Sequence, residues 1–299
     1  MRWEKGRRSE NVEDRRGEVA GYAAAGAAPL ILRFLPALIR SKTGRTILIA
    51  GVIIVFGGKL LGFDVMSLFF GGGGSVQTDR EFTAQEQQLA DFTSVVLADT
   101  EDTWNQLFRQ QGAEYREPTL VLFTDRVNSA CGQATASVGP FYCPGDQKLY
   151  IDLSFFYDLS QRHGAPGDVA QAYVIAHEVG HHVQTLLGIS QQVQAAGRGR
   201  SKADVNALSV RQELQADCLA GVWGHAAKVD RNMLDPGDLE EALRAATAIG
   251  DDRLQREAQG RVVPDSFTHG SSAQRVAWFR RGFESGDMAA CDTFSQNRI

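Results

Sequence analysis

Residues 171–184 read QAYVIAHEVGHHVQ and place three of the chain's six histidines within six positions. His177, Glu178 and His181 form an H-E-x-x-H pattern inside an otherwise apolar run. On a helix, residues four apart lie one turn above each other on the same face. Both imidazoles can therefore reach one tetrahedral Zn2+ at about 2.0–2.1 Å. Glu178 lies about 100° round the helix from His177, beside the open position of such a metal. There it can take a proton from a water whose pKa zinc lowers to about 7, and hand it to a leaving amine. His182 points off the metal face and reads as a surface residue or as a support for the ligands.

A catalytic zinc needs a third protein ligand. RQELQADCLAGVW, residues 211–223, offers Glu213 and Asp217, again four apart. An apolar helix that buries two carboxylates on one side needs a cation to meet them. Glu213 is expected to bind zinc and Asp217 to hold the free Nδ1–H of a zinc histidine. His269, in THGSSAQR, is a candidate donor to the oxyanion of a tetrahedral intermediate. The same stretch can equally cap the last helix and leave His269 a local hydrogen-bonder. Tyr142 and His225 carry weaker signals still, and Arg275, Trp278 and Phe279 recur at helical spacing and read as packing.

These residues must be positioned by a fold, and helix signals dominate the chain. Thr83 and Glu86 fit a capping box opening a helix over 84–111. TLVLF (119–123) and KLYIDL (148–153) read as strands. Helices are expected over 168–187, stopped by Gly188, over 204–228, over 236–249 after Asp235-Pro236, and over 271–285, stopped by Gly286. ISQQVQAAGRGRSK, residues 189–202, reads as a polar connection, helical in part at most. The expected class is α+β, mainly helical, with a small sheet ahead of the histidine-rich helix.

Of the four cysteines, Cys131, Cys143, Cys218 and Cys291, none forms a CxxC pair. Four cysteines allow three connectivities. Cys131 with Cys143 would staple a Gly-rich loop, and Cys218 with Cys291 would tie the Glu213 helix to the C-terminal tail. A rival use, Cys131 as a zinc ligand of the deformylase type, lacks the accompanying glutamate-rich loop.

HEVGH followed by E-x-x-A-D at 213–217 looks like the gluzincin arrangement. SENVEDRRG, GPFYCPGDQKLYID, HEVGHHVQ, ELQADCLAGVW and THGSSAQRVAWFRRGF together resemble the bacterial neutral zinc metallopeptidases, over nearly the whole chain. The resemblance implies a membrane-anchored, zincin-like protein with Glu213 as the third ligand. It also implies that the strand in GPFYCPGDQKLYID pairs with extended substrate. No zinc position departs from the pattern, although the segment before the anchor is less glycine-rich than expected.

The net charge of −5 hides an asymmetry, because residues 1–45 carry ten Lys/Arg against five Asp/Glu. No basic stripe or nucleic-acid motif follows, so a nucleic-acid partner is not expected. Residues 46–58 are free of charge, and an 18-residue apolar run extends to 63 with Lys59 near its end. RSKTGR precedes this run and Gly71–Gly74 follow it. Hydropathy and the positive-inside rule predict a single transmembrane anchor over 46–70. A cytosolic basic tail is then expected over 1–45, a flexible linker over 71–80, and a metallopeptidase domain over 81–299 on the extracytoplasmic side of the cytoplasmic membrane. Residues 23–39 are also apolar, but two prolines and Arg33 favour an interfacial segment.

The expected activity is hydrolysis of peptide bonds with a Glu178-activated water and Zn2+ as cofactor. The alternatives are a non-catalytic, zinc-stabilised binding or assembly factor of the cell envelope, and a zinc amidase acting on a non-peptide amide.

Overall fold

A computed structural model describes residues 1–19, 76–77 and 80–295. The chain divides into two units, one of residues 1–17 with 80–299 and the other of residues 18–79. The expected anchor over 46–70 lies outside the described residues, as does most of the expected linker. Among the described residues no helix is long and apolar enough to cross a membrane.

The first unit opens with β1 (Val12–Asp14). In the second unit β2 (Glu18–Val19) pairs antiparallel with β3 (Val76–Gln77). The first unit resumes with α1 (Ala84–Gln110), β4 (Thr119–Phe123), a hairpin of β5 (Arg126–Ser129) and β6 (Gly132–Thr135), then β7 (Phe141–Cys143) and β8 (Lys148–Asp152). Helices complete it: α2 (Ser154–Gln161), α3 (Asp168–Leu186), α4 (Ile189–Gly197), α5 (Lys202–Val229), α6 (Asp238–Ala248), α7 (Asp251–Gln259) and α8 (Ser272–Ser285).

The sheet order is β1-β4-β8-β7. β1 and β8 run parallel to β4, and β7 closes one edge antiparallel to β8, with Tyr142 opposite Leu149. Leu120, Leu122, Leu149 and Ile151 bury one face against the helices, while Val121, Phe123 and Tyr150 pack with Cys143 on the other. This is the strand alternation of a sheet covered on both faces. Thr83 and Glu86 form the expected capping box of α1.

The N-terminal residues correct the expected domain plan. Rather than a separate tail, residues 1–17 belong to the same unit as residues 80–299. Leu120 donates its N–H to the Asn11 carbonyl and Arg15 donates to the Leu122 carbonyl, each at 2.8 Å, which seats β1 on β4. Ser9 Oγ and Asn11 Nδ2 reach the buried Glu101 carboxylate of α1 at 2.5 and 2.9 Å. The Met1 ammonium lies 2.9 Å from Asp168 and 3.3 Å from Asp238. Backbone pairing and polar neighbours of this kind follow from tertiary placement, which periodicity in a short basic segment does not carry.

Other differences are local. α4 is a helix where the sequence reads as a polar connection, helical in part at most, and α7 falls in a stretch for which no element is expected. α6 begins at Asp238 instead of residue 236, because Gly237 stands at φ +96° and the Asp235 N–H is bound by the Asp238 carboxylate at 2.7 Å. A helix cannot start until that left-handed residue is passed.

α3 packs against α1, α5 and α6 and against β7 and β8, and α8 lies along α5. Close approach depends on missing side chains. A Cβ on Gly180 would stand 2.9 Å from the Ala216 carbonyl oxygen, and one on Gly282 would stand 1.9 Å from that of Cys218. Gly180 therefore lets α3 and α5 meet at the level of His181 and Glu213. Both expected disulfides are present, Cys131–Cys143 and Cys218–Cys291.

Candidate metal centre

His177 and His181 sit one turn apart on α3, and Glu213 faces them from α5. His177 Nε2 lies 3.1 Å from one Glu213 carboxylate oxygen, and His181 Nε2 lies 3.4 Å from the other. Ligand atoms held about 2.0–2.1 Å from a tetrahedral ion are roughly 3.3–3.4 Å apart, so these spacings fit zinc. The three residues form a metal-binding group, their ligand atoms all within 4.8 Å of one another.

Each imidazole has its other nitrogen occupied. His177 Nδ1 lies 2.9 Å from Asp217 Oδ1, as the four-residue spacing from Glu213 leads one to expect. His181 Nδ1 lies 2.9 Å from the Oε1 of Gln184. An amide or carboxylate oxygen only accepts, so both Nδ1 atoms carry a hydrogen and both Nε2 atoms are directed at the metal position.

The partners of those partners are also fixed. Arg275, from α8, meets Asp217 with two nitrogens at 2.9 Å, and Tyr173 donates its hydroxyl to Asp217 at 2.5 Å. Gln184 donates its amide to the Gln212 carbonyl at 2.7 Å and to Gln215 Oε1 at 2.9 Å. Gln215 in turn donates to the Cys291 carbonyl at 3.0 Å, so the chain of amides ends at a disulfide-linked residue. Sequence reading assigned Arg275 to packing and missed Gln184. The signal available for Gln184 was its place three residues after His181, on a neighbouring helical position.

The electrostatics follow from burial and proximity. Burial pulls His177 down, but the Asp217 and Glu213 carboxylates outweigh it and raise the pKa to about 10. His181 is pulled down by burial and raised overall by Glu213. Burial pushes the Glu213 carboxyl up, and the two imidazoles hold it well below the usual carboxylate range. Asp217 is pushed up by burial and brought to about 2 by Arg275 and His177. Two buried carboxylates that stay ionised and favour the protonated form of two imidazoles mark a position that accepts a cation.

Of the two readings of His182, burial rules out the surface one. Its Nε2–H donates to the Arg116 carbonyl at 2.6 Å, which leaves Nδ1 to accept the Tyr142 hydroxyl at 3.1 Å. Burial lowers its pKa to about 4. The adjacent histidines, about 100° apart round α3, thus work in different directions: His181 towards the metal position, His182 pinning the edge strand β7 through Tyr142.

Glu178 is buried and lines a cavity of about 620 Å³ together with His177, His181, Glu213, His269 and Arg275. His269 is exposed, and its Nδ1 lies 3.3 Å from Asp251 and 3.0 Å from the Thr268 hydroxyl. Asp251, at the start of α7, also accepts the backbone N–H groups of Thr268, His269 and Gly270 at 2.6–3.1 Å. The hydrogen bond that His269 Nδ1–H donates to Asp251 is the main cause of a raised His269 pKa. The capping expectation for the same stretch also holds, through Ser271 and Gln274 at the start of α8. His225 lies elsewhere, bound to the Phe283 carbonyl at 2.8 Å. Cys131 is in a disulfide, so it offers no thiolate to a metal.

Residues 1–294 match the family model described as "Putative neutral zinc metallopeptidase". The chain is 50% identical over 298 residues to the protein named "Uncharacterized protein YpfJ" of Escherichia coli (strain K12), covering 99% of this chain and 100% of that one. It is 44% identical over 191 residues to "Uncharacterized protein Rv2575" of Mycobacterium tuberculosis (strain ATCC 25618 / H37Rv), covering 60% of this chain and 64% of the relative. No solved structure matches the chain.

Proposed function

The chain belongs to this neutral zinc metallopeptidase family, and on that premise we propose that it hydrolyses peptide bonds at a zinc centre held by His177, His181 and Glu213. The observation that carries the reading is the convergence of two Nε2 atoms and one carboxylate, each imidazole held by an acceptor at Nδ1. Zinc, when bound, supplies Lewis-acid activation of water and of the scissile carbonyl.

The remaining roles belong to the chain's own groups. Glu178 takes a proton from the attacking water at its carboxylate and returns it to the leaving nitrogen. His269, aligned by Asp251, donates a hydrogen bond to the developing oxyanion. β7, the edge strand, offers main-chain groups to an extended substrate by strand addition. Asp217, Arg275 and Gln184 hold the ligand imidazoles in the required tautomer.

Anchoring to the cytoplasmic membrane is part of the proposal and rests on the sequence of residues 23–63. Residues 1–17 and 80–295 fold as one unit, so a segment that leaves this unit into a membrane must return to the same face. The single crossing expected from sequence does not satisfy that condition. We propose two crossings, over 23–39 and 46–70, with RSKTGR in the cytosol by the positive-inside rule and the folded unit outside. The two disulfides agree with an oxidising compartment.

The deciding experiment is metal analysis of the purified chain together with cleavage of a peptide library by wild type and Glu178→Gln. Zinc is expected at one per chain in both, with cleavage lowered about 10²–10⁴-fold in the variant. Equal turnover by Glu178→Gln would remove the mechanism.

A further inference from the structure

We propose that the strength of the zinc site is governed by the Cys218–Cys291 disulfide, which acts on His181 through Gln215 and Gln184. This concerns the regulation of the proposed centre and rests on the zinc reading of it.

Gln184 accepts the Nδ1–H of His181 at 2.9 Å, and it does so through its oxygen. A primary amide presents either an acceptor or a donor, depending on which way it is turned. Turned over, Gln184 would offer an N–H to Nδ1, which would then have to accept. The ring hydrogen would move to Nε2, the atom directed at the metal position. Whatever fixes the direction of this amide is therefore part of the site.

The direction is set from the far end. The backbone carbonyl of Cys291 can only accept, so Gln215 faces it with Nε2, at 3.0 Å. That leaves Gln215 Oε1 towards Gln184, whose Nε2 donates to it at 2.9 Å and to the Gln212 carbonyl at 2.7 Å. Gln184 Oε1 is then the atom that remains for His181. Both side chains are buried, so neither amide can exchange its partner for water. With the Cys291 carbonyl withdrawn, Gln215 is free to turn, and a turned Gln215 sets donor against donor at Gln184.

The disulfide holds that carbonyl in place. Gln215 and Cys218 are three residues apart on α5 and so neighbours on one helical face. The bond from Cys218 therefore carries Cys291 over Gln215, across a sequence separation of 73. Thr293 exchanges hydrogen bonds with Arg211, Oγ to the Arg211 carbonyl and Nη1 to the Thr293 carbonyl, each at 2.7 Å. These contacts keep the segment beside α5 but do not touch the Cys291 carbonyl. The Cys131–Cys143 disulfide is independent of the relay, since Cys143 packs with Val121, Phe123 and Tyr150 on the face of the sheet away from the helices.

A cavity of about 470 Å³ has Cys291, Gln215 and Met288 in its wall, so a small dithiol can approach the bond there. One thiolate of the dithiol attacks a sulfur to give a mixed disulfide, and its second thiol displaces the cysteine. Two electrons pass to the cystine, leaving Cys218 and Cys291 as thiols and the reductant as a cyclic disulfide. A chain made in a reducing compartment thus carries a weak centre, which tightens once the chain meets an oxidising one.

The test measures zinc affinity of the full chain by chelator competition, with no substrate present. Three forms are compared with oxidised wild type: Cys218→Ala/Cys291→Ala, Gln215→Leu, and wild type reduced with a dithiol that is removed under argon. Each is expected to bind zinc about tenfold more weakly. The control Cys131→Ala/Cys143→Ala should stay within about twofold, as a distant site does. In zinc-loaded, 15N-histidine-labelled protein, the Nδ1–H resonance of His181 should shift in Gln215→Leu while that of His177 stays in place. Unchanged affinity in the three forms, equal weakening in the control, or a shift of both resonances would each overturn the inference. Should the Cys218→Ala/Cys291→Ala variant fail to fold, Gln215→Leu, which keeps the bond, decides by the same measure. A chain that follows this pattern and cleaves no peptide would overturn the peptidase reading alone, and one that binds no zinc would overturn both.

Discussion

Arg275 grips Asp217 with Nε on Oδ2 and Nη2 on Oδ1, each at 2.9 Å, while the same Oδ1 accepts the Nδ1–H of His177 at 2.9 Å. All three side chains are buried. A buried carboxylate facing a metal ligand would cost several kcal/mol if unpaired, and the guanidinium supplies the second charge that keeps it ionised.

Removing either partner therefore has a different consequence. Asp217→Ala is expected to weaken zinc binding about 10–100-fold in a chelator competition, because His177 loses its orienting acceptor. Arg275→Leu strands a buried charge and is expected to lower unfolding stability by about 3–5 kcal/mol in urea titration. Wild-type stability in Arg275→Leu would show that Asp217 is not held by this pair.

Gln184 plays the corresponding part for His181 with a neutral amide. Gln184→Leu is expected to weaken zinc about 10–100-fold. Gln184→Glu keeps an acceptor for Nδ1–H and should bind zinc within about threefold of wild type, as carboxylate–histidine–zinc arrangements do. Equal weakening in both variants would mean that Gln184 only fills space.

The imidazoles make stability depend on pH, and the sign differs between metal-free and loaded protein. His177 has a pKa of about 10 in the folded, metal-free chain against about 6.5 unfolded. Its contribution is complete below about pH 6.5 and is lost as pH rises towards 10. Zinc binds the neutral imidazole and removes that dependence. Thermal midpoints of metal-free protein should thus fall from pH 6.5 to 9.5, with a flat profile when zinc is bound. His182 works in the opposite sense: with a folded pKa of about 4, its contribution is lost in both forms as pH falls from about 6.5 towards 4. A loaded profile as steep as the metal-free one above pH 6.5 would show that zinc does not engage His177.

Membrane topology can be read by cysteine labelling in intact cells. With Thr43→Cys in RSKTGR, a membrane-impermeant maleimide should react after permeabilisation and not before. With Glu4→Cys, in the folded unit, it should react from outside. Labelling of both positions from one side would exclude the two-crossing arrangement.

Much of the centre was legible because it is local. His177, Glu178 and His181 share one helical turn, and Glu213 and Asp217 another, so helix geometry alone puts each set on a common face. The caps of α1 and α8 are equally local, Thr83 with Glu86 and Ser271 with Gln274. Arg275 was misread because nothing in its neighbourhood distinguishes a buried guanidinium from a packing position. Its partner lies 58 residues earlier. His182 was left undecided between two readings for the same reason, with its acceptor Arg116 lying 66 residues away.

By itself the sequence determined which residues are candidate ligands and which helices carry them, since spacing and caps act over a few residues. Only the tertiary structure decided that α3 and α5 approach closely enough at Gly180 for three ligand atoms to converge. It also decided that residues 12–14 complete the sheet and that β7 lies along the metal position. Those outcomes depend on which surfaces meet across long stretches of chain, and contact between distant segments is set by the packing of the whole core.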